Sequence, residues 1–427
     1  MKQKQLLAKQ VLAKQALAKQ LKIVKGIAED AAKDQEYKIA QDPDTLGAIN
    51  VVEEFLRTKK RICYGGQAIN AHLPNKYKFY KETDLPDYDF FTPTPDQDID
   101  ELVEAFTAKG FREIGIRLSV HEGTTKLYIN FMPMADITGV DDQIFKKLLA
   151  RAMPYDGIYY ADPDFLRMMM YLELSRPAGE VDRWDKVYER LFLLNTFQPI
   201  KACKWKSDKR PALSDAVKEG LLGLLVDREM VIAGLDVYSA FKSRKRHNIR
   251  WFVRSWPLIA YSADPAADID MFVEYMNKML GENAVKVDLV NSVGEIVPPC
   301  AILRYQEVPV LLLVKETACH SYVNMKMIGS TSIKVASIDT LITLFMSFMF
   351  HPDLDEIIAR PILCLIHEMI LYSMKVRAAW DSKENATPFL SITCSGHQKQ
   401  ITTLLRERAE RIGRLRNTKK KVISIKE

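Results

Sequence analysis

The sequence contains few cysteines and no long apolar run. Six cysteines are scattered through 427 residues without the spacing of a disulfide framework, so we expect a reducing compartment. The most apolar run, Leu341–Phe350, is shorter than the roughly 20 residues that cross a bilayer, and the N-terminus lacks the apolar core of a secretory signal peptide. A Walker A loop and the Gly-x-Ser-x-Gly turn of serine hydrolases are also missing. These absences argue against a membrane-spanning protein, a disulfide-stapled secreted domain and a P-loop nucleotidase.

The basic residues are clustered, although the net charge is only +6. Two clusters include tryptophans, within Lys201–Arg210 and Lys242–Trp256, and a third covers Arg406–Lys426. Interleaved cations and rings suit a single-stranded nucleic acid, because the cations follow the phosphates while the rings stack on bases. The alternative is a solvated loop before a buried strand, and we expect the rings to lie in the core. The candidate RNA-binding residues are Lys242, Arg244, Lys245, Arg246, Arg250 and Arg254.

One stretch, residues 61–91, organises the rest of the chain. It opens with Arg-Ile-Cys-Tyr, an apolar run that predicts a short buried strand. Gly65 and Gly66 follow, and two glycines allow a tight turn and a close approach to a ligand. The next residues predict a helix, whose N-terminal N–H groups would suit a phosphate. After a polar loop, Asp87 and Asp89 flank Tyr88 in an apolar setting that predicts a second strand.

The two aspartates of this strand predict a metal site. Alternation along a strand points Asp87 and Asp89 to the same face. Adjacent carboxylates repel each other unless a cation lies between them, and Mg²⁺ typically binds one or two carboxylates together with substrate phosphates. A lone Asp-x-Asp is more often two solvated aspartates after an ordinary turn. The order of strand, glycine turn, helix and acidic strand favours metal-dependent nucleotidyl transfer.

Tyr64-Gly65-Gly66 with Asp87-Tyr88-Asp89 resembles the signature of the DNA polymerase beta nucleotidyltransferase superfamily. The long loop 71–86 and the later stretches SRPAGEVDRWDKVYERLFLLN and PFLSITCSGHQ resemble the poly(A) polymerase catalytic subunits of large nucleocytoplasmic DNA viruses, such as asfarviruses and mimiviruses. This resemblance runs from about Thr45 to the C-terminus. It implies an α+β fold: a nucleotidyltransferase domain with a mixed sheet flanked by helices, then a degenerate nucleotidyltransferase-like domain and helical C-terminal segments.

An internal repeat predicts the degenerate second domain. FTPTPDQDIDELVEAF, residues 91–106, aligns without gaps with YSADPAADIDMFVEYM, residues 261–276. Such self-similarity indicates a duplicated fold, with chance similarity as the alternative. Asp87 and Asp89 map to Pro257 and Ile259, which cannot bind a metal, so we expect the second copy to serve packing and RNA binding.

The resemblance and the repeat together predict how the chain is divided. The predicted segments are an N-terminal helical arm (1–44), the catalytic domain (45–150), a helical connector (151–224), the degenerate repeat (225–335) and a helical C-terminal region with a basic tail (336–427).

The resemblance also implies further site residues. A third carboxylate on a neighbouring strand completes the metal site of the superfamily, and we assign this role to Asp136, on a strand predicted over 126–137, with Asn130 at the alternative position. The predicted nucleotide-binding residues are Gly65, Gly66, Arg183, Lys186 and Arg190. The three basic residues share a stripe of a helix predicted over 162–195, where they contact triphosphate or RNA, or else form surface ion pairs with neighbouring acidic residues.

The function implied by the resemblance is a template-independent polynucleotide adenylyltransferase, which adds poly(A) to the 3′ end of viral mRNA. It would use ATP and two Mg²⁺ or Mn²⁺ ions bound by Asp87, Asp89 and Asp136. The alternatives are a catalytically weak RNA-binding scaffold and a nucleotidyltransferase with a uridylyl or CCA product.

The resemblance also bears on partners. Resemblance to giant-virus enzymes implies a homodimer, whereas resemblance to poxvirus enzymes implies a separate processivity or cap-modifying partner. Neither resemblance implies binding to a membrane. The expected location is the virion and the viral factory of the host cytoplasm.

Two Cys-x-x-His pairs, Cys364–His367 and Cys394–His397, contain zinc-type ligands. Because the first pair lies in an apolar helical run, its side chains point only partly together, and a structural zinc site is disfavoured. Cys319-His320 resembles a stretch of the viral family and receives no chemical role from the sequence.

Overall fold

The computed structural model describes residues 2–80, 84–121, 123–200, 213–243, 245–254, 257–294, 296–329, 332–350 and 356–424. In these ranges the strands form one seven-stranded and one eight-stranded mixed sheet, with helices packed against both. This confirms the predicted α+β class. No helix of the described ranges is both long enough and apolar enough to cross a membrane.

The α-helices of the described residues are α1 (Lys2–Ala40), α2 (Pro43–Lys59), α3 (Gly65–Ala71), α4 (Pro95–Ala108), α5 (Asp142–Arg151), α6 (Pro163–Leu174), α7 (Trp184–Phe197), α8 (Asp215–Asp227), α9 (Leu235–Ser243), α10 (Pro265–Leu280), α11 (Ile338–Phe348), α12 (Glu356–Arg377) and α13 (Ile401–Ser424). Side chains of α1 that are described are mostly exposed, because the repeated units LLAKQ, VLAKQ and ALAKQ near its start distribute apolar residues around the helix.

The first sheet contains β1 (Ile62–Tyr64), β2 (Tyr88–Thr92), β3 (Ile114–Leu118), β4 (Thr124–Ile129), β5 (Met132–Gly139), β6 (Met153–Tyr155) and β7 (Ile158–Tyr160). Their order across the sheet is β3-β4-β5-β2-β1-β7-β6. Strand β2 lies antiparallel to β1 and parallel to β5. Helices α2 and α4 cover one face of this sheet, where Leu56, Phe90 and Phe106 are fully buried.

The second sheet contains β8 (Val231–Ile232), β9 (Leu258–Ser262), β10 (Val285–Val290), β11 (Cys300–Tyr305), β12 (Val308–Lys315), β13 (His320–Lys326), β14 (Ser332–Ala336) and β15 (Cys394–Ser395). Their order is β10-β11-β12-β9-β8-β14-β13-β15. Strands β9 and β12 are nearly continuous apolar runs, because both of their faces are buried.

The second sheet repeats the first strand by strand. Its run β10-β11-β12-β9-β8 corresponds to β3-β4-β5-β2-β1, with the same parallel and antiparallel pairings. The turn after the second strand is also shared: Thr92 Oγ1 accepts from the N–H of Thr94, and Ser262 Oγ accepts from the N–H of Asp264, both at 3.0 Å. The predicted duplication is therefore confirmed in the fold.

The acidic positions of the first copy are apolar in the second. Asp89 is aligned with Ile259, and the β5 neighbour of Asp89, Asp136, corresponds to the β12 neighbour of Ile259, which is Leu312. Both apolar side chains are completely buried. The second sheet therefore holds packed hydrocarbon at the positions where the first sheet holds carboxylates.

Two predicted elements are interrupted. The strand predicted over 126–137 is two strands, β4 and β5, joined by a tight turn in which Asn130 and Phe131 both have positive φ. Phenylalanine rarely adopts this conformation, so the sequence gives a weak turn signal. The helix predicted over 162–195 is also broken between α6 and α7, because residues 175–180 form turns around Pro177 and Gly179 and Val181–Arg183 form a 3-10 helix.

The expectation of unpaired cysteines is wrong for the second sheet. Cys319 and Cys394 form a disulfide with their Cα atoms 5.3 Å apart, because the short strand β15 pairs with β13 and brings the two residues together. Cys364 is also disulfide-bonded, whereas Cys63 and Cys300 are free and buried. Since Cys364 and Cys394 are both disulfide-bonded, neither Cys-x-x-His pair offers a thiolate ligand in this structure.

The two sheets share one hydrophobic core. A single cluster of buried side chains extends from Ile62 and Phe91 in the first sheet to Leu258 and Leu312 in the second. Helices α6 and α11 pack against each other in this cluster. The two copies are therefore fixed to each other by buried apolar surface.

A buried ion pair lies at the end of this core. Asp339 on α11 and Arg377 on α12 are paired, and their side chains are 0% and 4% exposed. Aromatic rings surround the guanidinium, with the Phe389 ring centroid 4.9 Å from it. Burial raises the pKa of Asp339 even though the Arg377 charge opposes that shift. The pair is thus held in a site where either charge alone is unfavourable.

We expect Arg377→Met to lower the free energy of unfolding by about 3–5 kcal/mol, because it leaves the Asp339 carboxyl buried without its counter-charge. Urea denaturation measures this loss. The matched control is Lys146→Met, which breaks the solvent-exposed Asp142–Lys146 pair and should leave the free energy of unfolding nearly unchanged. A double variant, Asp339→Leu with Arg377→Met, should recover most of the stability. Equal losses for Arg377→Met and Lys146→Met would contradict this account.

Candidate active site

The strand–turn–helix unit at Gly65 and Gly66 forms as predicted. Strand β1 ends at Tyr64, and Gly65 begins α3 with φ +68°. A Cβ atom on Gly65 would collide with Asp89 Oδ2, and one on Gly66 would lie 2.6 Å from the Tyr80 hydroxyl and 3.0 Å from Arg190 Nη1. The glycines therefore keep open the space beside the Asp89 carboxylate and beside the Arg190 guanidinium.

The two acidic strands are neighbours in the first sheet. Asp89 on β2 is in register with Asp136 on the parallel strand β5 and with Tyr64 on β1. Tyr88 points to the opposite face, where its hydroxyl donates to Glu53 Oε1 at 2.6 Å. Asp87 comes immediately before β2 rather than within it and is exposed at the mouth of the site. The structure thus brings the three predicted acidic residues to one face of the first sheet, near the start of β2.

Asn130, the alternative third ligand, lies elsewhere. It occupies the turn between β4 and β5 and is exposed, whereas Asp136 is the residue directly beside Asp89. Of the two positions considered for the third carboxylate, Asp136 is therefore the one that lies in a row with Asp89 across the two strands.

Burial and neighbouring negative charge raise the pKa values of two of the carboxylates, Asp89 and Asp87. Burial, followed by the charges of Asp87 and Asp136, raises the pKa of Asp89 to about 7. Partial desolvation and the Asp136 charge also raise the pKa of Asp87. Burial and the Asp89 charge together raise the pKa of the Tyr64 hydroxyl. Negative charge is therefore concentrated here beyond what the protein neutralises, and a set of carboxylate oxygens is the donor chemistry that suits a hard divalent cation.

A lysine that sequence reasoning missed lies in the same row. Lys126 on β4 is the register partner of Asp136, and its ammonium pairs with Asp136 Oδ2. Although partial burial opposes the charge, this ion pair raises the pKa of Lys126. Among the described residues no three acidic, His or Cys side chains are preassembled around one point. Asp87 and Asp89 therefore suit a cation as they stand, and Asp136 could join them only after Lys126 releases it.

The predicted basic stripe borders the carboxylates. Arg190 donates to the Tyr80 hydroxyl at 2.9 Å and lies 4.5 Å from the Phe79 ring centroid, which holds it beside Gly66. Burial and the two neighbouring arginines lower the pKa of Lys186, which also lies in the field of Asp87. Arg183 pairs with Glu180 at 2.9 Å. Arg183 is thus ion-paired, but its charge also acts on Asp89, while the charges of Lys186 and Arg190 act on Asp87.

A large cavity opens beside the carboxylate row, between the two sheets. Its volume is about 850 Å³. The first sheet contributes Tyr64, Phe91 and Thr138 to its wall, the second contributes Tyr261 and His320, and residues at the start of α13 close one side. The cavity thus adjoins the acidic site and is enclosed by both copies of the repeat.

The predicted RNA-binding residues lie apart from this row, between α9 and β9. Lys242 pairs with Glu368 at 3.7 Å and Arg250 with Glu219 at 2.7 Å, while Arg254 covers the Trp251 ring. Phe252 is buried, as expected for a core ring. Lys245 and Arg246 are exposed. Arg244, Trp256 and the cluster Lys201–Arg210 lie outside the described residues.

Comparisons with known proteins agree with this geometry. Residues 50–180, which include the carboxylates and all seven strands of the first sheet, match the protein family described as "Poly(A) polymerase catalytic subunit". A protein of Acanthamoeba polyphaga mimivirus is 30% identical over 237 residues, which cover 51% of this chain and 40% of that protein. One of African swine fever virus (strain Badajoz 1971 Vero-adapted) is 30% identical over 167 residues, covering 38% and 35%. Both are described as "Putative poly(A) polymerase catalytic subunit", and this chain matches less than half of their length.

A solved structure extends the comparison to nearly the whole chain. The crystal structure of the Megavirus polyadenylate synthase superposes with a TM-score of 0.72 at 18% identity, covering 94% of this chain and 83% of that one. The first sheet and its helices therefore match the poly(A) polymerase catalytic subunit family in sequence, and the chain as a whole has the nucleotidyltransferase fold of a viral polyadenylate synthase.

Proposed function

We propose that this chain is a template-independent polynucleotide adenylyltransferase that extends an RNA 3′ end with AMP from ATP. The observation that carries the proposal is the row formed by Asp89 and Asp136, with Asp87 at its mouth and Gly65-Gly66 beside it. The second copy of the fold replaces this row with Ile259 and Leu312, so the acidic residues are a feature of one copy and not of the fold. The match to viral poly(A) polymerase catalytic subunits supports poly(A) as the product.

The carboxylates are proposed to hold the divalent cations of this reaction. Two Mg²⁺ or Mn²⁺ ions, when bound, would lower the pKa of the RNA 3′-hydroxyl and neutralise charge at the ATP α-phosphate. Asp87 and Asp89 supply oxygen ligands at the open edge of the sheet. Lys126 pairs with Asp136 and keeps it beside Asp89, and Asp136 would act as a third cation ligand when this pair opens. Burial of Asp89 keeps competing water away from the reacting groups.

The basic stripe is proposed to bind the triphosphate. Arg190 is positioned by Tyr80 and Phe79, and Gly66 leaves room in front of its guanidinium. Lys186 adds a second positive charge facing Asp87. Because α3 has only seven residues, its helix dipole sums few peptide units, and these side chains supply most of the attraction for phosphate.

RNA binding by the Lys242–Arg254 segment and the basic α13 also belongs to this proposal. Exposed cations of these segments, such as Lys245, Arg246 and Arg406, would contact the phosphates of a single strand. From the viral relatives we infer action in the virion and the viral factory, either as a homodimer or with a separate viral partner.

Asp87→Ala and Asp89→Ala should each reduce extension of a labelled RNA primer by about 10³-fold or more, because each removes a ligand that stabilises charge in the transition state. The assay offers each of the four NTPs separately with Mg²⁺ or Mn²⁺. Long tails from ATP alone, lost in both variants while RNA binding persists, are the expected result. Normal tailing by either variant would show that the site is misplaced, and no extension with any NTP would favour the RNA-binding scaffold.

Gly66→Ala should raise the KM for ATP about 10-fold or more with little change in unfolding temperature. The added methyl group would lie 2.6 Å from the Tyr80 hydroxyl and 3.0 Å from Arg190 Nη1, so it displaces the guanidinium that is proposed to bind phosphate. The hydrogen bond lost between the guanidinium and phosphate is a charged one, worth about 1.5–3 kcal/mol. The control is Gly223→Ala on α8, where a Cβ meets nothing within 4 Å. Equal KM values for the two variants would exclude this role of Gly66.

Asp89→Asn should raise the unfolding temperature in metal-free buffer by roughly 2 °C or more at pH 8, because it removes a charge that its neighbours repel. The folded pKa of Asp89 is about 7, against an ordinary value of 3.8, so between these two values the folded wild type holds a proton that the unfolded chain has lost. The wild type is therefore progressively destabilised relative to the variant between about pH 4 and pH 7, with no further change above.

Divalent cations should reverse this difference in unfolding temperature between the wild type and Asp89→Asn. Mn²⁺ at pH 8 is expected to raise the unfolding temperature of the wild type and to have a smaller effect on Asp89→Asn, because the variant lacks one anionic ligand. Differential scanning fluorimetry across pH, with EDTA or Mn²⁺, makes the comparison. A wild type that does not respond to Mn²⁺ and matches the variant at all pH values would contradict metal binding by this carboxylate.

A further inference from the structure

The row of side chains that contains Asp89 and Asp136 continues across the first sheet with two cations. Asp136 on β5 is the register partner of Lys126 on β4, and Lys126 is the partner of Arg117 on the edge strand β3. Because register partners share a face of the sheet, the four side chains follow one another on one face as acid, acid, base, base. The two cations therefore lie on the side of the carboxylates away from β1 and its glycine turn.

The two cations are held in different ways. Lys126 pairs with Asp136, and 37% of its side chain is exposed, so its ammonium has room to leave the carboxylate. The Arg117 guanidinium lies over the ring of Tyr128, 4.7 Å from the ring centroid. Arg117 is exposed and forms no ion pair with any of the described residues. One cation is thus neutralised by a proposed metal ligand, and the other has no counter-charge in the part of the chain that the structure describes.

The second copy of the fold lacks this arrangement. The positions of Lys126 and Arg117 are taken there by Ile302 and Asp288, which are register partners on β11 and β10. Arg304, two residues farther along β11, donates to Asp288 at 2.6 Å. The second copy therefore neutralises its arginine within the sheet. The two cations beside the carboxylates are a feature of the copy with the acidic row and not of the fold.

The geometry of phosphoryl transfer fixes the side from which the RNA must come. The attacking and leaving oxygens are roughly in line, on opposite sides of the phosphorus. In the proposed function the terminal phosphates lie with Gly66 and Arg190, on the β1 side, so the RNA 3′ end approaches over β4 and β3. Two strand spacings, about 10 Å, separate Asp136 from Arg117. Phosphates close to the 3′ end then fall within reach of both cations, and the Tyr128 ring offers a surface on which a base can stack.

We propose that Lys126 exchanges between Asp136 and the RNA. It pairs with Asp136 in the cation-free protein and, once that carboxylate binds a divalent cation, it contacts a phosphate near the RNA 3′ end beside Arg117 and Tyr128. This inference rests on the proposed function and adds a coupling between its cation site and its RNA site. Because one ammonium cannot pair with both groups, cation and RNA should each raise the affinity for the other by the same factor. The exchange disfavours an RNA 3′ end at carboxylates that lack their cations.

The first test measures the affinity for a labelled single-stranded RNA by fluorescence anisotropy over a range of salt concentrations, without ATP, in EDTA or in Mn²⁺. Mn²⁺ should tighten binding to the wild type about 10-fold. It should also steepen the slope of log affinity against log salt by about 0.7, the effect of one added phosphate contact on a single strand. Lys126→Gln should have the same slope in both conditions. The matched control, Lys146→Gln, removes an exposed lysine that pairs with Asp142 and should behave as the wild type.

The second test locates the contact on the RNA. A neutral methylphosphonate is placed singly at each of the linkages nearest the 3′ end. At one linkage it should weaken binding to the wild type in Mn²⁺ by about 5-fold or more, with no further loss in Lys126→Gln, because both changes remove the same contact. Tyr128→Leu should weaken binding about 5-fold or more with and without Mn²⁺, as expected for one stacked base. Tyr128→Phe keeps the ring and should retain the affinity.

The third test follows Mn²⁺ itself by electron paramagnetic resonance. RNA should tighten Mn²⁺ binding to the wild type by the factor found in the first test. Without RNA, Lys126→Gln should bind Mn²⁺ more tightly than the wild type, because Asp136 is already free of its ion pair.

The outcomes separate this inference from the proposed function, because none of these measurements requires catalysis. Equal salt slopes with and without Mn²⁺ in the wild type, or the same change of slope in Lys126→Gln, overturn the exchange even if the chain makes poly(A) tails. Coupling that depends on Lys126 in a chain that adds no nucleotide supports the exchange and overturns adenylyl transfer. If Lys126→Gln does not fold, the wild-type slopes and the methylphosphonate series with and without Mn²⁺ decide.

Discussion

Repulsion among the carboxylates of Asp87, Asp89 and Asp136 is the constraint on which the active-site half of this protein depends. A parallel pair of strands forces Asp89 and Asp136 side by side, and burial strengthens their mutual repulsion. The surrounding structure accommodates it locally: Gly65 gives the Asp89 carboxylate room, Lys126 pairs with Asp136, and Asp87 stays at the open edge. Under the proposed function, bound divalent cations would relieve this repulsion, so the same carboxylates that destabilise the fold would form the metal site.

The duplicated sheet shows what the same backbone becomes without that constraint. In the second copy Ile259 and Leu312 pack in the positions of the acidic residues, and the apolar run of β12 can be buried on both faces. The second copy thereby gains a core large enough to merge with that of the first. Through this shared core the second sheet is attached to the first, and it supplies the far wall of the cavity beside Asp89 and Asp136.

Sequence reasoning predicted the features that are local in the chain or repeated in it. The Gly65-Gly66 turn, the acidic pair and the repeat could be read directly, because spacing and alternation encode them. Lys126 could not, because its contact with Asp136 depends on the register of β4 against β5, and that register depends on an Asn130-Phe131 turn with little turn signal. The Cys319–Cys394 disulfide was missed for the same reason, since it joins residues that are 75 positions apart through a two-residue strand.

The arrangement of the site also explains why the superfamily signature alone leaves the product undetermined. In the proposed function the glycine turn and the carboxylates serve phosphate and metal, which are common to every nucleoside triphosphate. Base identity would be read farther along the nucleotide, by residues that contact neither of these groups. Such residues need not lie near Asp89 in the chain, so a motif around that strand does not report on them. A change in nucleotide preference would therefore require no change in Asp87, Asp89 or Asp136.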